Sequence, residues 1–245
     1  MTGTAQLPLE LAPRPALGRE DFLVAPSNEV AVAWIDRWPD WPGPALALYG
    51  PPGSGKTHLC QVWRAASGAV EIDGPRLAEA EPPELLGAAR ACVLDNADTV
   101  LAGAGAAGGM AGGMAGEAAM AERLLHLHNS LAERGGQLLL TGRAAPARWP
   151  CRLADLSSRL AAAAAARLEA PDDALMEALL VKLCADRQLL IGAEVVRYLL
   201  ARMERSFAAA RALVAALDRA SLAEGRAVTV PLARRVLEGY ETARD

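Results

Sequence analysis

The sequence predicts a parallel α/β domain followed by a smaller, all-helical one. Three observations carry that expectation. Gly50-Pro51-Pro52-Gly53-Ser54-Gly55-Lys56-Thr57 fits the phosphate-loop pattern G-x-x-x-x-G-K-[ST], with an apolar strand before it and a helix after it. Short apolar runs alternate with helix-like stretches as far as residue 170. From Pro171 onward the strand signals stop and only helical periodicity remains.

The elements follow in order. Residues 1–20 are rich in proline and short apolar side chains and read as an extended tail, with Pro8 ruling out a helix around it. Pro26-Ser27-Asn28-Glu29 supplies cap candidates for a helix whose apolar face is Val30, Trp34, Ile35 and Trp38. Pro39 to Pro44 breaks the chain before a first strand at 45–49, and the phosphate loop leads into a helix from Thr57. A second strand is expected at 69–73, ended by Gly74-Pro75, then a short helix at 84–90 and a third strand at 91–94. Residues 101–119 are built of Ala, Gly and Met. Each glycine costs a helix interior about 1 kcal/mol relative to alanine, so this segment reads as a loop. A long helix over 117–134 stops at Gly135-Gly136. A fourth strand fills 137–141, a short helix 153–160, and a fifth strand 164–168, although the alanine run there favours helix. Asp172-Asp173 caps a helix to about 187, and others fill 193–204, 206–223 and 231–242, with Pro171 and Pro231 at first-turn positions. The expected organisation is a tail (1–20), an α/β domain (21–170) and a helical domain (171–245).

Composition narrows the function. The chain has 245 residues, 52% of them hydrophobic, which is ample for a core, and a net charge of −4, which gives no bulk attraction to nucleic acid. No basic, apolar leader opens the chain and no long uncharged apolar stretch spans a membrane. The four cysteines (Cys60, Cys92, Cys151, Cys184) are far apart and read as reduced thiols of a cytoplasmic protein rather than a metal or disulfide framework. His126 and His128, at i, i+2, point apart on a helix.

The site residues follow from phosphate chemistry. Gly50, Gly53 and Gly55 let backbone N–H groups close around phosphate oxygens, and the helix N-terminus adds partial positive charge. Lys56 reaches the β- and γ-phosphates, and the Thr57 hydroxyl ligates Mg²⁺. Lys56 and Lys182 are the only lysines, so basic positions elsewhere are arginine. Asp95 closes the third strand, where a carboxylate helps hold Mg²⁺. Asn96 follows it where a hydrolase commonly places an acid; an amide accepts no proton from water, which argues against a fast hydrolytic cycle. Thr141, at the end of the strand expected beside Asp95, is either a γ-phosphate sensor or a threonine of ordinary strand propensity.

At this point the chain resembles a family. Phe22 to Asn28 and Gly55-Lys56-Thr57-His58-Leu59 are similar to the AAA+ module of the bacterial replication initiator DnaA. Leu94-Asp95-Asn96, Asp155-Leu156-Ser157-Ser158-Arg159-Leu160, Leu217-Asp218-Arg219-Ala220-Ser221 and Gln6-Leu7-Pro8-Leu9-Glu10-Leu11 resemble the Hda-type regulatory inactivators of DnaA. The resemblance implies an AAA+ P-loop NTPase fold with a five-stranded parallel sheet and a helical lid. It implies ADP or ATP with Mg²⁺ at Gly50 to Thr57, His58, Asp95, Asn96 and Thr141. It implies that Arg159 acts in trans on ATP bound to DnaA, and that Gln6, Leu7, Leu9 and Leu11 dock on the DNA polymerase sliding clamp. The chain ends after the lid-like stretch, where DnaA continues into a helix-turn-helix domain, so contact with DNA is expected only through the clamp. A homodimer is compatible with the family, and a membrane role is not.

Three departures stand out. Arg143 follows Thr141-Gly142 where the family usually has an acid. Ala208 occupies the place of the lid's nucleotide-sensing arginine, with Arg211 one turn on as the replacement. Residues 102–116 look like an insertion. The implied function is negative regulation of replication initiation with weak or no intrinsic ATPase. The alternatives are an ATP-driven helicase loader or other DnaA-like replication ATPase, and a nucleotide-gated clamp adaptor.

Overall fold

A computed structural model describes residues 23–103 and 114–242. The tail peptide 6–11 and most of the Ala/Gly/Met segment lie outside these residues.

Five strands, β1 (Ala45–Tyr49), β2 (Val70–Ile72), β3 (Ala91–Leu94), β4 (Gln137–Gly142) and β5 (Ala164–Arg167), form one parallel sheet in the order β2-β3-β4-β1-β5. The central strands are apolar throughout because helices cover both faces. Side-chain alternation then splits the core in two. Leu46, Leu48, Val93 and Leu139 face α1 (Glu29–Asp36) and α2 (Lys56–Ser67), where Leu59 and Trp63 pack. Ala47, Cys92, Leu94, Leu138 and Leu140 face the other way, towards α5 (Ala97–Leu101) and α6 (Met114–Glu133), which contribute Leu101, Leu124, Leu127 and Leu131.

Several boundaries differ from expectation for local reasons. Gly74-Pro75 does more than end a strand: it opens α3 (Gly74–Glu79), whose N-cap Asp73 accepts a hydrogen bond from Arg76 N at 2.9 Å. The following short helix, α4 (Pro82–Leu86), starts earlier than 84 because its two prolines fill first-turn positions, where no N–H is needed. Helix reaches into the segment expected as a loop over 101–119: Leu101 ends α5, and α6 begins at Met114 with Gly116 in its first turn. The alanines of β5 do form a strand. Pairing with β1, from Leu46↔Ala164 to Tyr49↔Arg167, overrides their helix propensity. Val30 is 54% exposed rather than part of the apolar face of α1; Ala31, Val32 and Ile35 are the buried residues. α7 (Ala154–Ala162) lies between a 3-10 turn (Pro146–Arg148) and β5.

After β5 come α8 (Asp173–Ala185), α9 (Ala193–Leu200), α10 (Phe207–Glu224) and α11 (Val230–Thr242). They share a separate apolar cluster that includes Leu179, Val196, Leu199, Leu213, Leu217 and Leu232. Side-chain caps set the starts of α8 and α10: Asp172 accepts from Leu175 N at 2.7 Å and Ser206 from Ala209 N at 3.1 Å. Pro171 therefore precedes the α8 cap rather than sitting in its first turn. Pro231 does occupy the first turn of α11.

All four cysteines are free thiols, and burial raises Cys92 to about 12 and Cys184 to about 11, which keeps them protonated and unreactive. Among the described residues no helix is long and apolar enough to cross a membrane.

A tryptophan cluster packs on the α2 side. Trp63 is 1% exposed, stacks on Trp41 at 5.2 Å and meets Trp38 edge-on at 6.3 Å. Its indole N–H is buried without a partner. Trp63→Ala is expected to cost about 3–5 kcal/mol in urea unfolding. Trp63→Phe is expected to cost less, because it also removes the unpaired donor. Equal losses in the two variants would contradict this packing account.

Candidate functional site

The phosphate loop leaves β1 at Tyr49, between the ends of β4 and β5. Gly53 (φ 76°) and Gly55 (φ 99°) hold the left-handed conformations that turn the loop into α2. Space excludes side chains there as well. A Cβ on Gly53 would lie 2.5 Å from Ser206 Cβ, and one on Gly55 would lie 3.3 Å from the Phe207 ring. The N-terminal end of α10 is thus in contact with the loop.

Lys56 is 8% exposed, and its ammonium donates to the Gly50 and Pro51 carbonyls, both at 2.8 Å. Burial depresses its pKa; Asp95 and Asp98 draw it back up, while Arg143 depresses it further. The ammonium is held at the loop's inner wall, where a bound phosphate chain would pass.

Asp95 gathers the hydroxyls around it. Thr57 Oγ1 donates to Asp95 Oδ2 at 2.9 Å, and the Thr141 hydroxyl makes a short hydrogen bond to Asp95 Oδ1. Thr141 is fully buried, and its oxygen also accepts from Asn96 N at 2.8 Å. Strand order thus brings Asp95, Thr57 and Thr141 together, from positions far apart in the chain. The Thr57 hydroxyl and the Asp95 carboxylate are a fitting pair for one face of a Mg²⁺ ion. Among the described residues no group of three or more His, Cys, Asp or Glu could hold a metal. An ion here would take its remaining oxygens from phosphate and water, as Mg²⁺ commonly does.

Asn96 caps α5 in the left-handed conformation (φ 54°), which asparagine tolerates, and its side chain makes no cap hydrogen bond. Asp98, one turn on, went unrecognised in the sequence. Its Oδ2 accepts from Arg143 N at 2.7 Å and its charge reaches Lys56. Its spacing of three from Asp95 was the available signal. Ser206 and Phe207 were missed as loop neighbours, because nothing local in the sequence tells that the start of α10 folds back onto Gly53 and Gly55.

Arg211 reaches the loop helix: its guanidinium lies 3.0 Å from His58 Nδ1. His58 is 8% exposed and also meets the Phe207 ring at 6.5 Å. Arg159 stands elsewhere, on α7, where its guanidinium forks onto Asp155 at 2.9 and 3.3 Å and remains 39% exposed.

Comparison with known proteins agrees with this fold. Residues 172–237 match the family model "Hda, lid domain". The fold is AAA+, and residues 172–237 are similar to the lid of Hda. Domain III of the replication initiation protein DnaA from Thermotoga maritima superposes with a TM-score of 0.74 at 18% identity, over 92% of this chain and 97% of that one. AMPPCP-bound DnaA from Aquifex aeolicus gives a TM-score of 0.66 at 17% identity, over 86% of this chain and 68% of that one. A DNA replication initiation factor gives 0.68 at 16% identity over 86% of this chain, which spans 66% of that factor. No curated protein matches in sequence.

The Thr141 bridge yields a direct expectation for this Hda-like AAA+ chain. Thr141→Val should lower the unfolding free energy by about 1–2 kcal/mol, because it removes a buried hydroxyl serving two partners. Thr141→Ser should retain most of it. Urea titration of both variants decides.

Proposed function

We propose that this protein is a cytoplasmic negative regulator of chromosomal replication initiation that works as a nucleotide-bound AAA+ activator of hydrolysis in a partner. In this reading residues 1–20 are a tether, 21–170 hold the nucleotide and 171–245 form the lid. ADP or ATP sits on Gly50 to Thr57 with Mg²⁺ at Thr57 and Asp95, and Asn96, Thr141, His58 and Arg211 line the site. Gln6, Leu7, Leu9 and Leu11 insert into the DNA-loaded sliding clamp as an extended peptide. Arg159 is then presented to ATP held by DnaA.

The observation that carries this reading is the Hda-type lid on a DnaA-like AAA+ fold. The placing of Arg159 supports it. The side chain is half-exposed, stands on a helix anchored by buried Leu156 and Leu160, and among the described residues pairs with Asp155 on that helix, which a more strongly charged phosphate can outcompete. The arginine stabilises charge developing on the transferred phosphoryl group; it moves no proton. Asn96 supports slow turnover at the protein's own loop, since it cannot serve as a base.

The decisive measurement is DnaA–ATP hydrolysis with and without clamp loaded on DNA. Arg159→Ala is expected to abolish stimulation, a loss on the order of 10³-fold for a finger of ordinary strength. Full stimulation by Arg159→Ala would refute the mechanism. Deleting residues 1–12 is expected to remove clamp binding in a pull-down while leaving nucleotide affinity unchanged. Fast ATP turnover by the isolated chain would favour an ATP-driven loader instead.

A further inference from the structure

A groove of about 350 Å³ opens between the C-terminal ends of α1 and α2. Trp38, Val62, Trp63, Ala65 and Ala66 line it, and Asp36 is the one charged residue in that lining among the described residues. The groove exists because α2 carries two exposed alanines after Trp63. Neither is long enough to cover Trp38, which stays half-buried beside the edge-on Trp63 ring.

Both helices start near the phosphate loop and end far from it. α2 begins at Lys56, and Ser27 O, just before α1, accepts from Glu169 N where the chain leaves β5. The groove is therefore remote from the loop, and the function just described makes no use of it. Leu23 is fixed beside the start of α1, since Asn28 Nδ2 donates to its carbonyl at 2.9 Å.

The same chain supplies a segment that suits this groove. Pro13-Arg14-Pro15-Ala16-Leu17 precedes the described residues. Proline rings dock well against aromatic-lined grooves. Pro13 and Pro15 also have φ fixed in advance, so the segment loses little conformational freedom on docking. Arg14 is complementary in charge to Asp36 at the groove. Reach is ample. Pro15 lies eight positions before Leu23, and eight extended steps of about 3.3 Å cover about 26 Å. The groove lies one helix away, and the eight residues of α1 rise about 12 Å.

We propose that residues 13–17 dock in the α1–α2 groove of their own chain, with Arg14 against Asp36. Only Ala12 then separates the groove from residues 6–11. That peptide is presented from a fixed place on the α1–α2 face rather than from the end of a longer tether. The docking itself does not depend on what residues 6–11 bind.

The test is photo-cross-linking of the full chain carrying Ala16→p-benzoylphenylalanine, with the products mapped by mass spectrometry. Cross-links are expected within one chain, to residues 35–38 and 62–66, at a yield independent of protein concentration. Arg14→Asp and Asp36→Arg should each lower that yield about two- to fivefold, the strength of an exposed ion pair. The two changes together should restore it, and melting temperatures should be unchanged because both positions lie outside the core. Absence of these cross-links, cross-links to another surface, concentration-dependent cross-links between two copies, or a yield indifferent to both charge changes would overturn the inference.

Discussion

One carboxylate ties the site together. Asp95 takes the Thr57 hydroxyl on one oxygen and the Thr141 hydroxyl on the other, joining the ends of β3 and β4 to the start of α2. That geometry exists only because β4 inserts between β3 and β1 in the sheet. The two flanking hydroxyls hydrogen-bond both oxygens of this partly exposed carboxylate. The sheet order, the helix that follows the glycines and the buried threonine are thus parts of one electrostatic arrangement.

A second contact joins the loop to the lid. Ser206 and Phe207 occupy the space that side chains at positions 53 and 55 would need, and Arg211 reaches His58 one turn into α2. The glycines therefore serve two neighbours at once: they leave backbone N–H groups free on the phosphate side and allow close packing of α10 on the other. A lid held this tightly is well placed to respond to what the loop binds, because moving α10 changes contacts with three loop-proximal residues together.

Much of this was legible in the chain. The phosphate loop, the first four strands and the lid helices announce themselves through apolar runs, caps and glycine spacing, and Asp95 and Thr141 through their places at strand ends. What was missed depends on distance in space. Gly74-Pro75 looked like a full stop because the Asp73 cap that converts it into a helix start was not weighed. The alanines of β5 carry helix propensity, and only their neighbour β1 makes them a strand. Asp98 joins the site only because β4 brings the Arg143 N–H to it. Phe207 packs in the lid core, and that it also covers Gly55 is a tertiary fact with no local trace.

The link between the sheet and the lid has a mechanical consequence. Leu168 N donates to Tyr49 O at 2.7 Å, Glu169 N donates to Ser27 O at 2.9 Å, and the Leu168 carbonyl lies 2.1 Å from where a Cβ on Gly50 would sit. The peptide that carries the chain out of the sheet is therefore also a wall of the phosphate loop. The segment leading to the lid and the loop share the same few backbone atoms, so any rearrangement at Leu168 would be felt at Gly50 directly, without an intervening relay of side chains.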